Sequence, residues 1–281
     1  MTSLTLGLIA ALCWGLHDIT IRYLSKSVPL LAALLFVLLV GATFQIGVLL
    51  ALQDGIALPA RAFWLSIAAG VAFLVASLGL YFAFERGPVR LVAPAIASYP
   101  ILSMIFAAWF GASITALDAL AVGLIIAGVS AVAYFSDDSD ARYPPMGPTL
   151  VLSLISAAGF ACTFKLGQLA AVSGGEIATT LVARLTALLL LGIIILAARQ
   201  PKYPGTRALL PLGVMGLLDG VALLSVISAA SLPRPEFAAV AASTFGMLTI
   251  VLAWAFLKER MRVVQWLGCL LAFSGIAYLA L

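Results

Sequence analysis

Five side chains that carry charge, or can, interrupt long apolar runs: His17, Asp18, Lys165, Arg184 and Asp219. A charged group at the middle of a bilayer costs about 2.5 to 3.5 kcal/mol on insertion scales, so in a membrane each must face protein or water. The chemistry open to them is ion pairing, proton relay, and contact with the ammonium or carboxylate of a small molecule. His17 is the chain's single histidine and stands beside Asp18 in CWGLHD (13–18). Histidine can titrate near neutral pH, which makes His17 a candidate relay with Asp18 as partner. Adjacent helical residues point about 100° apart, however, which predicts that the two do not both face one narrow site. Trp14 shares a face with each, at three and four residues. Two readings stand: polar residues satisfying their neighbours near the membrane edge, or a cavity-lining role for His17.

Rising about 1.5 Å per residue, a helix puts Asp219 at the centre of its run, with Arg184 about 4 Å and Lys165 about 8 Å toward the side of the termini. Asp18 lies about 6 Å toward the opposite side. Lys165, Arg184 and Asp219 therefore read either as internal charge pairing that holds the second half together or as direct contacts to a charged substrate group. Aromatic and hydroxyl residues could complete such a site. Phe73, Ser77 and Tyr81 form an i, i+4, i+8 stripe, and Phe160, Thr163 and Phe164 occupy the place in the sixth run that Trp14 and His17 hold in the first. Ser98 and Tyr99 sit between Pro94 and Pro100, which free backbone carbonyls at a depth where only protein or a cavity tolerates them. Ser243 and Thr244 are their counterparts in the second half. Stripes of this kind serve helix packing, or an apolar-walled cavity with a few placed polar groups.

The elements that must position these residues are set by composition. Of 281 residues 64% are apolar and only 9% charged, against about 25% charged in a soluble domain; the mean hydropathy is +1.20. A helix needs about 20 apolar residues to span a hydrocarbon core of roughly 30 Å. Ten runs qualify, at about 4–24, 29–51, 62–84, 89–111, 115–135, 148–171, 176–198, 208–230, 236–256 and 262–280. The expectation is an all-α polytopic membrane protein with no soluble domain. The net charge of +4 comes mostly from connections between runs, as membrane topology requires, and does not indicate a nucleic-acid partner. Cys13, Cys162 and Cys269 fall inside apolar runs without metal-binding spacing and read as small buried residues. The first run has no basic leader and is too long for a signal peptide, so it reads as a retained helix.

The polar stretch SDDSDARYPPMGP (136–148) divides the chain into a five-helix repeat at 1–135, a linker at 136–147 and a second repeat at 148–281. A shift of 145 places Pro88 on Pro233, Ser98 on Ser243, Trp109 on Trp254 and Gly123 on Gly268. Because five crossings are an odd number, such a duplication inverts the second copy, as in many secondary transporters whose substrate site lies between repeats at the midplane. The odd-numbered connections hold eleven Lys and Arg residues, the even-numbered ones only Arg61 and Arg234. Positive-inside then predicts cytoplasmic odd connections and external termini. There is no GxxxxGK[ST] motif for ATP, no HExxH, no carboxylates paired on one helix and no convincing Ser/His/Asp set, so neither an ATP-driven pump nor an enzyme is expected. No filter-like loop or ring of charge supports a channel.

The string ALCWGLHDITIRY, with Trp14, Gly15 and Arg22, resembles the start of an EamA domain of the drug/metabolite transporter superfamily. APAIASYPILSMIFAAWFG followed by GLIIAGVSAVAY, and in the second half ASTFGMLTIVLAWAFLKERM followed by QWLGCLLAFSGIAYL, extend the likeness over nearly the whole chain. Glu259 and Arg260 match the family's Gly-Glu-Arg-like turn, whereas the first half has GASIT there. Among ten-helix members the sequence is most similar to YddG-type amino-acid exporters. The resemblance implies two inverted five-helix repeats around a central cavity and export of small metabolites, neutral or aromatic amino acids foremost, by alternating access. Drugs, or sugar or nucleotide derivatives, are the alternative cargo. It further implies a bacterial inner (plasma) membrane, a functional monomer, no cofactor or metal, and protons as a candidate coupling ion. Related ten-helix transporters are described with cytoplasmic termini, opposite to the charge count. Four-helix relatives keep a carboxylate eight residues before a basic residue in the first helix; eight before Arg22 stands Trp14, so that proton site does not carry over.

Overall fold

The computed structural model describes residues 2–52, 58–109, 115–135, 144–233 and 235–279. Most of the 136–147 linker, with Arg142, and also Arg234 and the GASI of GASIT lie outside them. Twelve helices account for the ten expected runs: α1 (Ser3–Leu24), α2 (Leu30–Leu52), α3 (Ala60–Arg86), α4 (Val89–Ile96), α5 (Pro100–Trp109), α6 (Ala116–Tyr134), α7 (Met146–Gly174), α8 (Glu176–Ala197), α9 (Leu209–Ser228), α10 (Glu236–Ala242), α11 (Phe245–Phe256) and α12 (Val263–Leu279). Among the described residues, seven stretches are long and apolar enough to cross a membrane, and three shorter apolar helical stretches accompany them.

The fourth and ninth runs are each broken in two, and the breaks are related. In the fourth run the chain leaves helical hydrogen bonding at Ala97–Tyr99, just before Pro100, whose ring suits the first turn of a new helix. In the ninth it does so at Ser243–Thr244 without a proline. Ser98 and Ser243, 145 residues apart, make the same local bond: each hydroxyl donates to the carbonyl three residues back, Ala95 at 2.7 Å and Val240 at 2.6 Å. Each hydroxyl thus finds its acceptor on its own segment, in a setting where no water would supply one.

Helix packing obeys the same exchange of halves. α1 packs on α9 as α7 packs on α3, α2 on α9 as α8 on α3, and α1 on α10 and α11 as α7 on α4 and α5. α2–α8 and α6–α12 are each their own counterpart. Neighbours therefore come chiefly from the opposite half, leaving a seam between repeats at the centre of the molecule. α1 shows how one helix serves both environments. Leu4, Leu8, Leu12 and Leu16, four residues apart, are exposed on its outer face, while Ala10, Trp14, His17, Asp18 and Ile21 are buried on the inner one.

Candidate functional site

Trp14, His17 and Asp18 of α1 line a cavity in the seam, closed over by Leu34, Val37 and Leu38 of α2 and by Phe73, Ser77, Leu80 and Tyr81 of α3. Tyr99, at the break between α4 and α5, Phe160 and Phe164 of α7, Asp219 of α9 and Phe245 of α11 complete the wall. Both repeats thus contribute. The free space is about 20 Å³, measured at the centre of a water-sized sphere, which is room for about one water. The cavity is occluded in this conformation, and a larger cargo needs its walls to part.

Its apolar lining is an aromatic cluster centred on Trp14. The indole stacks on Phe164 with centroids 5.5 Å apart and meets Phe160 at 6.1 Å and Phe245 at 6.4 Å. Phe160 and Phe164, four apart on α7, stack at 5.8 Å, and Tyr99 meets Phe164 edge-on at 5.3 Å. Each such pair contributes about 0.5 to 1.5 kcal/mol beyond burial, so the cluster ties α1, α7 and α11 together while it lines the space.

Two acid–base pairs sit at this wall. Arg184 of α8 is wholly buried and donates from Nη1 to Asp219 Oδ2 at 2.6 Å, from Nη2 to the Asp219 carbonyl at 3.4 Å and from Nε to Gln45 Oε1 at 3.2 Å. Trp14 Nε1 donates to Asp219 Oδ1 at 3.1 Å. The guanidinium lies 5.4 Å from the Phe73 ring centroid and fits against α2 because residue 41 is glycine: a Cβ there would stand 2.5 Å from Arg184 Nη1. Asp219 lines the cavity; Arg184 lies behind it. In the second pair, His17 Nδ1 and Asp18 Oδ1 are 3.0 Å apart, and Tyr81 Oη lies 3.3 Å from His17 Nε2. Asp18 is 1% exposed.

The expectation that His17 and Asp18 could not share one narrow site is overturned. Both line the cavity, because it wraps around a wide arc of α1 and the two side chains bend toward one another. Lys165 is partly exposed on α7, outside the lining, and neither oxygen of Asp219 is taken by it. Four expected hydroxyls also lie outside the lining. Thr163 donates to Gly159, Thr244 to Ala241 and Ser243 to Val240, each within its own segment. Ser98 borders a different crevice, with Leu91, Ile125, Met146 and Leu150. The residues that sequence reasoning missed are Asp18 as a lining group, the aliphatic wall of α2, Leu80, Phe245 and the Arg184 partner Gln45. A polar residue inside an apolar run was the available signal for Gln45; nothing distinguished Leu34 from its neighbours.

The two ends of the seam are closed differently. At one end Lys258 adopts a left-handed conformation with φ 56°, turning the chain after α11 so that Glu259 points inward. Its carboxylate accepts the Val89 and Arg90 amides that open α4, at 3.1 and 3.4 Å, and lies 3.7 Å from Arg22 Nε. Arg22 also donates to the Phe84 carbonyl at 2.6 Å. A second-repeat carboxylate therefore supplies the negative charge that a first-repeat helix N-terminus favours. At the other end, Ser3 donates across the seam to the Pro233 carbonyl at 2.7 Å, and Gln168 ties Val226 and Pro235 of its own repeat at 3.0 and 3.1 Å.

Residues 1–134 and 147–281 both match the EamA-like transporter family. No curated protein matches the sequence. A crystal structure described only as that of a protein shares the fold, with a TM-score of 0.72 at 17% identity over 98% of this chain and 95% of its own.

Proposed function

Because the chain belongs to the EamA-like transporter family, matched in both halves, we propose that it is a secondary, non-ATP transporter that exports small amphipathic metabolites, neutral and aromatic amino acids foremost. Movement proceeds by alternating access, with the two repeats parting at one end of the seam and then at the other. The observation that carries this reading is the occluded cavity between repeats, with aromatic walls for an apolar side chain and ionisable groups for a charged end. The exchange-symmetric packing supports it, because two nearly equivalent halves can open on either side at similar cost. The closures at the two ends are unlike: parting the Glu259 end separates its carboxylate from Arg22 and the α4 amides, and parting the Ser3 end separates Ser3 from the Pro233 carbonyl.

The described lining residues all belong to one chain, which supports a monomer as the transport unit. A helical polytopic protein of this kind suits the inner, plasma membrane of a bacterium. The test is counter-flow in proteoliposomes with labelled phenylalanine. Unlabelled phenylalanine on the far side should accelerate uptake, and neutral and aromatic amino acids should compete. Uptake indifferent to the far side would remove the carrier mechanism. Competition by sugars or cationic drugs but by no amino acid would replace the cargo class.

A further inference from the structure

The cavity has two carboxylates, and only one has an oxygen to offer. Asp219 accepts Trp14 at Oδ1 and Arg184 at Oδ2. Asp18 Oδ1 is engaged by His17, but Asp18 Oδ2 is buried and meets no hydrogen-bond donor among the described residues. An enclosed, unpaired carboxylate oxygen is costly, and one that lines a cavity is open to a donor carried by a ligand. The nearby guanidinium is not that partner. All three Arg184 nitrogens donate elsewhere, and Arg184 does not line the cavity.

Charge and shape point to the same partner. Two carboxylates, Asp18 and Asp219, line the space, and no Lys or Arg is among its described lining residues. The space that remains fits one water-sized group, the size of an ammonium.

We propose that Asp18 Oδ2 is the acceptor for a cationic nitrogen of the transported molecule, a protonated primary amine, and that no Lys or Arg among the described lining residues is there to match a carboxylate. The inference rests on the transporter reading and deepens it: the cargo is held by its amine and its apolar body. An amino acid is then carried as an amine whose carboxylate makes no ion pair with the site, and amines lacking a carboxylate are equally good cargo.

The test uses the full chain in proteoliposomes and three compounds built on one ring: phenylalanine, phenethylamine and 3-phenylpropionate. Labelled phenylalanine and labelled phenethylamine are the reporters. Phenethylamine should compete at least as well as phenylalanine, and 3-phenylpropionate at least ~tenfold more weakly, the ratio that 1.4 kcal/mol of lost binding produces. Asp18→Asn should erase the amine's advantage, while Asp18→Glu should keep the ranking. Elution profile and unfolding temperature establish that each variant is folded; should Asp18→Asn not fold, the ranking in the unaltered protein decides alone. Counter-flow of phenethylamine without phenylalanine supports the inference and moves the cargo class to organic amines. If 3-phenylpropionate competes as well as phenethylamine, or the amine preference survives Asp18→Asn, the inference is overturned and the transporter reading stands. If neither reporter shows counter-flow, the cargo reading falls and takes the inference with it.

Discussion

Arg184–Asp219 and His17–Asp18 border the same buried seam, yet they are built to opposite specifications. The first is saturated: every guanidinium nitrogen donates, both carboxylate oxygens accept, and residues of α1, α2, α8 and α9 converge on it. The second is left open. Its aspartate keeps an oxygen without a donor, its histidine is held by one carboxylate and one hydroxyl, and all three side chains line the cavity. Buried charge is tolerated where it is paired and hydrogen-bonded, and is costly where it is not. A saturated pair is therefore scaffold, and an open pair is where a ligand gains most by binding. Intramembrane charge alone does not separate these roles; the count of unfilled donors and acceptors does.

The largest effect should come from breaking the saturated pair on one side. Arg184→Leu or Asp219→Leu strands a buried charge and should cost about 3 to 5 kcal/mol of unfolding free energy, whereas the double variant should recover part of that loss because nothing charged remains unpaired. Unfolding in detergent followed by tryptophan fluorescence measures all three. A double variant no more stable than the worse single one would show that the pair is not the scaffold described. The transport counterpart is Asp219→Asn: normal folded yield with abolished counter-flow would give Asp219 a direct role in binding.

Gly41→Ala tests the same pair through its packing. The added methyl enters the space of Arg184 Nη1, and overpacking of this kind costs about 1 to 3 kcal/mol. Because the guanidinium is fixed by three hydrogen bonds, it has little freedom to withdraw. A loss well under 1 kcal/mol would reveal slack around Arg184.

The open pair should respond in the opposite sense. Asp18→Asn gives up a charge-assisted bond to His17 but also removes the burden of an unsatisfied carboxylate oxygen, and the two nearly cancel. We expect a change in stability within about 1 kcal/mol, set against a loss of amine preference in transport. A destabilisation as large as that of Asp219→Leu would place Asp18 in the scaffold after all.

How far this contrast was legible beforehand follows from what a sequence encodes. The ten runs were visible because about 20 apolar residues are needed to cross a bilayer whatever the fold. The break at Ala97–Tyr99 was signalled by Pro100, while that at Ser243–Thr244 carries no local signal and is readable only through the 145-residue repeat. Trp14, Tyr81, Phe160 and Asp219 were candidates because an aromatic stripe or a lone charge departs from its surroundings. Leu34, Val37 and Leu38 do not depart from theirs: α2 is apolar on every side, so which face meets the cavity is settled by packing. Hydroxyls such as Thr163 misled because, in a helix without water, the nearest acceptor is their own backbone. Whether His17 and Asp18 converge depended on the arc that the neighbouring helices enclose, and a helical wheel does not contain it.

The smallest expected effect refines the open pair itself. An ionised carboxylate only accepts, so the hydrogen of the 3.0 Å contact belongs to His17 Nδ1, and Nε2 is left to accept from the Tyr81 hydroxyl at 3.3 Å. That second bond is long, and Tyr81→Phe should cost about 0.5 to 1.5 kcal/mol. Asp18 Oδ2 is untouched by the change, so the ranking of phenethylamine over 3-phenylpropionate should survive it. If Tyr81→Phe instead abolishes the amine preference, the phenol rather than Asp18 contacts the cargo, and the open oxygen of Asp18 needs another explanation.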